Sequence, residues 1–175
     1  MQIIELTIAN FRPYYGEVTI KPRTDSDHPL VLVLGKNDTG KTSLFTALQF
    51  CLYGAESRDE RSGHINRTAV EESDGTTRVE MTLLHDDAIF TIERGIKYNR
   101  TDNADKRRAV EWYREVRGPD DVVVSREDNE STYRKFINRI LPENVARFFL
   151  FDAEELQRFE QSHDETVRES IETIL

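Results

Sequence analysis

The feature that most constrains this chain is the stretch from Leu30 to Thr42. A continuous aliphatic run, Leu-Val-Leu-Val-Leu, leads straight into Gly35-Lys36-Asn37-Asp38-Thr39-Gly40-Lys41-Thr42. Those last eight residues match G-x-x-x-x-G-K-[ST], the phosphate-binding loop or Walker A pattern. So short a pattern acquires meaning from its flanks, because the chemistry requires a strand before it and a helix after it. Leu30–Leu34 reads as a strand buried on both faces, as in a parallel sheet, since its apolar residues do not alternate with polar ones. Thr42–Tyr53 reads as a helix, with Leu44, Phe45, Leu48, Cys51 and Leu52 at three- and four-residue spacing and Gly54 as its stop.

The reason these residue types bind phosphate is direct. Backbone N–H groups of the loop and the helix N-terminus turn inward and carry partial positive charge. Gly35 and Gly40 let the chain wrap closely, with Asn37, Asp38 and Thr39 between them. Lys41 is placed to neutralise β- and γ-phosphates, the Thr42 hydroxyl to hold Mg²⁺, and Ser43 to donate to the α-phosphate. Asp38 is an unusual neighbour for phosphate. It is expected to be exposed and not catalytic, and to be there because aspartate tolerates left-handed backbone.

The remaining pattern predicts an α/β fold. Gln2–Ile8 alternates, with Ile4, Leu6 and Ile8 on one face. Gly16 is read as a turn before a short strand, Glu17–Ile20. Arg78–His85 and Ala88–Tyr98 form two alternating runs around Asp86-Asp87, a hairpin signal. Ala109–Arg117 and Val122–Val124 read as further strands on either side of a Gly118-Pro119-Asp120 turn. Asn129 is placed to cap a helix to Leu141, with Tyr133, Phe136, Ile137 and Ile140 on one side and Pro142 ending it. Ala55–Asp74 carries no clear period. After an aromatic run, Phe148–Phe151, the chain from Ala153 is polar and helix-prone. The expected organisation is therefore a lobe over residues 1–152, with an antiparallel subdomain at about 78–124, followed by the start of a long helix at 153–175.

Composition excludes several classes. The 175 residues suffice for one sizeable core but not for two comfortable domains. No apolar stretch nears the ~20 residues of a membrane helix, and Met1–Ile8 alternates instead of forming a signal-peptide block. Cys51 is the only cysteine, so no internal disulfide forms and a cytoplasmic location is expected. It lies on the apolar face of the first helix and is read as a small core residue, not a nucleophile. The four histidines are scattered and, with one cysteine, leave no structural zinc set. His64 is read as a solvated loop residue near the nucleotide. The net charge of −9 argues against bulk polyanion binding. Arg94–Arg117, however, holds eight basic residues against four acidic ones. That segment is either a solvated hairpin or a phosphate-contacting surface, with Arg107 and Arg108 the residues to test. Trp112 and Tyr113 within it are read as packing into a small sheet.

With these motifs in hand, the chain resembles a family. A first strand ending Asn10-Phe11-Arg12, the Leu-Val-Leu-Gly-Lys-Asn-Asp-Thr-Gly-Lys-Thr-Ser segment and a first helix ending Leu-Tyr-Gly look like the N-terminal lobe of SMC-like ATPases of the SbcC, RecN and RecF type. The run Phe148-Phe149-Leu150-Phe151-Asp152-Ala153-Glu154 is most similar to DndD, the ATPase associated with DNA phosphorothioate modification. Ala153 departs from a glycine there. The Asn37-Asp38 pair departs from the usual Asn-Gly and resembles the loop of OLD-family nucleases.

The resemblance implies a P-loop NTPase head of ABC type, built from two half-heads joined by a coiled coil that starts near residue 153. The C-terminal half of the same head would supply the signature motif, Walker B and the catalytic glutamate. Heads would form a homodimer around ATP and Mg²⁺, and hydrolysis would serve DNA processing together with other modification or defence proteins. By the same resemblance Arg12 lies near the phosphates, Lys41 and Asp152 are catalytic, and Thr42 and Asp152 bind the metal. The position of Asp152 resembles a Q-loop. Four apolar residues before an aspartate also fit a Walker B strand, which would make the chain a self-contained small NTPase. An OLD-family nuclease ATPase domain and a nucleotide-gated scaffold without turnover are the other readings left open.

Overall fold

The computed structural model describes residues 1–25, 27, 29–36, 39–55, 57–99, 108–119, 123–125 and 130–146. Asn37, Asp38, Arg107, Asn129, the Phe148–Glu154 run with Asp152, and the helix-prone segment 153–175 lie outside them.

The first two strands form a tight hairpin, β1 (Gln2–Phe11) and β2 (Tyr14–Ile20), with Phe11 paired to Tyr14 across a two-residue Arg12-Pro13 turn. The turn is thus at Arg12, whose φ is 50°, and not at Gly16, which sits inside β2. In β1 the expected Ile4-Leu6-Ile8 face holds only in part. A register shift between Ile3 and Glu5 puts Ile3 opposite Leu83 and leaves Ile4 exposed, because one extra residue reverses the side-chain alternation beyond it.

The hairpin at Asp86-Asp87 is present as β3 (Thr76–His85) and β4 (Ala88–Asn99), with both turn residues at positive φ. Two successive left-handed residues suit the twist of a two-residue hairpin, and aspartate tolerates them. β5 (Arg108–Arg117) and β6 (Val123–Ser125) follow. All six strands form one antiparallel sheet in the order β2-β1-β3-β4-β5-β6. The antiparallel region is therefore continuous with the N-terminal hairpin.

α1 (Lys41–Tyr53) lies against this sheet. Its Ala47, Phe50, Cys51 and Leu52 join Leu6, Ile8, Val79, Met81, Leu83, Ile92 and Ile96 in the core. The region without a clear period folds as two short helices, α2 (Arg58–His64) and α3 (Arg67–Glu72). α4 (Glu130–Ile140), whose Tyr133, Ile137 and Ile140 are buried as their spacing predicts, adds to the same core as α1. Pro142 precedes a last turn, α5 (Glu143–Ala146).

The expectation that fails is the parallel strand. Leu30–Leu34 is assigned to no strand, and Leu30, Leu32 and Leu34 are 80%, 72% and 81% exposed. Every strand among the described residues pairs antiparallel. A continuous aliphatic run needs neighbours on two edges and cover on two faces to be buried, and the described residues supply neither.

Candidate functional site

The loop and α1 meet at Gly40, which caps the helix with φ at 95°. A side chain there is disfavoured on two grounds. The conformation is left-handed, and a Cβ would lie 3.1 Å from Pro13 Cγ and 3.2 Å from the Tyr14 hydroxyl. At Gly35 a Cβ would meet Thr39 Oγ1 at 2.6 Å, so the hydroxyl would have to move. The Thr39 hydroxyl donates to the Lys36 carbonyl at 2.8 Å, which closes the loop on itself.

Lys41 Nζ donates to the Gly35 carbonyl at 2.7 Å and to that of Lys36. Its ammonium thus rests on two neutral oxygens at the start of the loop. Such contacts are weak compared with a phosphate oxygen, because charge-assisted pairing to an anion is about twice as strong as to a neutral acceptor. The Thr42 carbonyl accepts from Thr46 Oγ1 at 3.0 Å, and Thr42 is exposed at the first turn of α1, beside partly buried Ser43.

Arg12 reaches the same helix from the β1–β2 turn. Its Nη1 donates to Thr46 Oγ1 at 3.2 Å, one turn beyond Thr42. Its backbone is pinned on both sides: the N–H donates to the His64 carbonyl at 2.8 Å, and the carbonyl accepts from Asn66 Nδ2 at 2.6 Å. Burial lowers the Arg12 pKa, and nearby Glu60 partly offsets that. The structure therefore brings Arg12, Gly35, Thr39, Gly40, Lys41, Thr42 and Ser43 to one region.

His64 departs from its expected solvated role. It is buried, stacked on Phe11 with ring centroids 5.0 Å apart and edge-on to Phe50 at 5.3 Å. Its Nδ1 has no hydrogen-bond partner among the described residues. Desolvation, and then the Arg12 charge, push its pKa down to about 4. The sequence held signals for this region that the period count missed. Ser57 and Glu60 have capping-box spacing, and Ser57 Oγ accepts from Glu60 N–H at 3.0 Å. Asn66 caps α3 through Ala69 N–H at 3.1 Å.

The far end of α1 is closed by another residue that periodicity does not reveal. Arg94 donates from Nε to the Cys51 carbonyl and from Nη2 to that of Leu52, each at 3.4 Å. Its guanidinium lies 4.7 Å from the centre of the Tyr133 ring, and Tyr133 Oη donates to the Cys51 carbonyl at 2.8 Å. A cation and two donors thus meet the carbonyls left open at a helix C-terminus. Arg117, at the other end of the basic segment, bonds Glu115 at 2.8 Å and Glu93 at 3.3 Å. These two arginines are structural and do not form a free phosphate surface. Cys51 is fully buried and burial pushes its thiol up to about 12, so it is a core residue as expected.

The Walker A pattern, Lys41 donating to its first two carbonyls and α1 opening directly after it fit an α/β P-loop NTPase. The family profile of an AAA domain matches residues 5–175. The chain belongs to that AAA-domain family. Similar curated proteins include the SbcC component of the nuclease SbcCD from Staphylococcus saprophyticus, 30% identical over 165 residues that cover 91% of this chain and 16% of the relative. The same component from Staphylococcus epidermidis is 25% identical over 99% of this chain and 17% of the relative. That of Staphylococcus aureus strain MRSA252 is 25% identical over 91% and 16%. The chain spans about a sixth of the length of these relatives. No helix among the described residues is long and apolar enough to cross a membrane.

Proposed function

We propose that this chain is the ATP-binding half of an SMC-like ATPase head, and that the head dimerises around ATP and Mg²⁺ to couple hydrolysis to DNA processing. The observation that carries the reading is the Lys41 ammonium held on the carbonyls of Gly35 and Lys36, neutral acceptors that a phosphate would replace. Gly35, Asn37, Asp38, Thr39, Gly40, Lys41, Thr42 and Ser43 would hold the nucleotide, with Arg12 beside them. Thr42 and Asp152 would hold Mg²⁺. When bound, that ion neutralises charge on the β- and γ-phosphate oxygens. Lys41 and Asp152 are the residues assigned to catalysis in this chain.

A partner for the lobe follows from what is left uncovered. On α1, Phe45 belongs to the residues at three- and four-residue spacing that mark an apolar face, yet it is exposed. Leu30–Leu34 is exposed as well. The C-terminal half of the same head is the occupant that fits, since relatives are about six times longer than this chain. Similarity to components of the SbcCD nuclease supports a DNA-processing context. We assign the phosphorothioate modification or defence setting, its partner proteins, a coiled coil from residue 153 and a cytoplasmic location to the same reading. Asp152 as a Walker B residue of a self-contained NTPase is the alternative.

Titration of the 1–175 chain and the full-length protein with ATP–Mg²⁺ tests this. Binding abolished by Lys41→Ala, with turnover confined to the full-length protein, supports the half-head. Robust turnover by residues 1–175 that Asp152→Ala removes would replace it with the self-contained enzyme.

A further inference from the structure

The Gly40 carbonyl accepts two hydrogen bonds. Leu44 N–H donates at 3.0 Å, as the first turn of α1 requires, and the Tyr14 hydroxyl donates at 3.0 Å from the edge hairpin. Tyr14 lies against the glycine itself, since a Cβ on Gly40 would be 3.3 Å from Tyr14 Cζ. The phenol is anchored by its strand. Tyr14 opens β2, pairs with Phe11 and follows the Arg12-Pro13 turn, which is itself held by His64 and Asn66. Burial raises the Tyr14 pKa, and a phenol is a donor at neutral pH.

The carbonyl that Tyr14 holds shares a rigid, planar peptide with the N–H of Lys41, and the two point in opposite directions. That N–H is one of the donors an α-helix leaves open at its N-terminus. A phosphate in the loop would meet it. Fixing the carbonyl fixes the direction of the N–H, and a second donor on the carbonyl polarises the amide and strengthens it as a donor.

We propose that Tyr14 is a positioning residue for nucleotide binding: its hydroxyl orients and polarises the Gly40–Lys41 peptide so that the Lys41 N–H meets the diphosphate portion of the ligand. The inference rests on the nucleotide-binding reading above and adds a residue outside the Walker A loop. A role at the diphosphate predicts equal effects on ATP and ADP. A role at the γ-phosphate predicts an effect on ATP alone.

The test is calorimetric titration of full-length wild type, Tyr14→Phe and Lys41→Ala with ATP–Mg²⁺ and ADP–Mg²⁺, with thermal midpoints recorded in the absence of nucleotide. Tyr14→Phe keeps the ring and removes only the donor. The expected result is a loss of affinity of about 3- to 10-fold for both nucleotides, within the size of one neutral hydrogen bond, measured well below the thermal midpoint of each protein. Unchanged affinity in Tyr14→Phe alongside lost binding in Lys41→Ala would overturn the role of Tyr14 and leave the nucleotide site standing. Loss for ATP alone would overturn it too. Wild type that binds neither nucleotide would remove the underlying reading and this inference with it.

Discussion

β3 and the segment Leu30–Leu34 are both rich in aliphatic residues and end in opposite environments. In β3, Val79, Met81 and Leu83 are fully buried, while Leu30, Leu32 and Leu34 face solvent. The difference lies in neighbours and not in hydrophobicity. β3 has β1 on one edge, β4 on the other and α1 over its apolar face. Its alternation, with Arg78, Glu80 and Thr82 facing the other way, matches a sheet covered on one side. The Leu30–Leu34 run has no polar face to give to water, so it suits only a place covered on both sides. An apolar pattern thus states a requirement for cover, and the cover need not lie within the same stretch of chain.

The largest effect is expected from a deletion in the covered region. Phe50→Ala removes a buried ring that packs on Phe11 and His64. It should cost about 3–5 kcal/mol in urea unfolding, as a large-to-small core change does. Next in size, Arg94→Met strips the guanidinium from the Cys51 and Leu52 carbonyls and from the Tyr133 ring. Unfolding should show a loss of about 1.5–3 kcal/mol, the range for hydrogen bonds to a charged group.

Acid should act on the covered region through His64. Its folded pKa of about 4 lies below the ordinary 6.5, so the native state excludes a proton that the unfolded chain accepts. The contribution is present in full above pH 6.5 and is lost as pH falls toward 4. Its size is on the order of 3 kcal/mol. Comparing wild type with His64→Leu across that window isolates it, and equal slopes would show that the ring is not held neutral. The smallest effect belongs to the uncovered segment. Leu32→Ser in residues 1–175 should change stability by less than about 0.5 kcal/mol. A loss of about 2 kcal/mol or more would mean that Leu32 is buried after all.

Much of the covered region was legible because its signals are local. Alternation around Asp86-Asp87 gave β3 and β4, and the spacing of Tyr133, Ile137 and Ile140 gave the buried face of α4. The glycine-lysine loop at the head of α1 was equally readable from its pattern. What stayed hidden depends on contacts distant in sequence. Tyr14 meets Gly40, Arg12 meets Thr46, and Arg94 meets the end of α1, each across more than 20 residues. No period encodes such meetings. Ile4 was misplaced because a one-residue bulge reverses alternation without a signature of its own. α2 and α3 are too short for periodicity, although their caps at Ser57 and Asn66 were visible.

In the proposed head, Leu30–Leu34 and the outer side of α1 are the surface on which the other half assembles. Amide hydrogen exchange, measured in parallel on residues 1–175 and on the full-length protein, decides whether they are. Amides 30–34 should exchange fast in the short chain and be strongly protected in the full-length protein, with β3 amides protected in both. Fast exchange of amides 30–34 in both proteins would contradict that assembly.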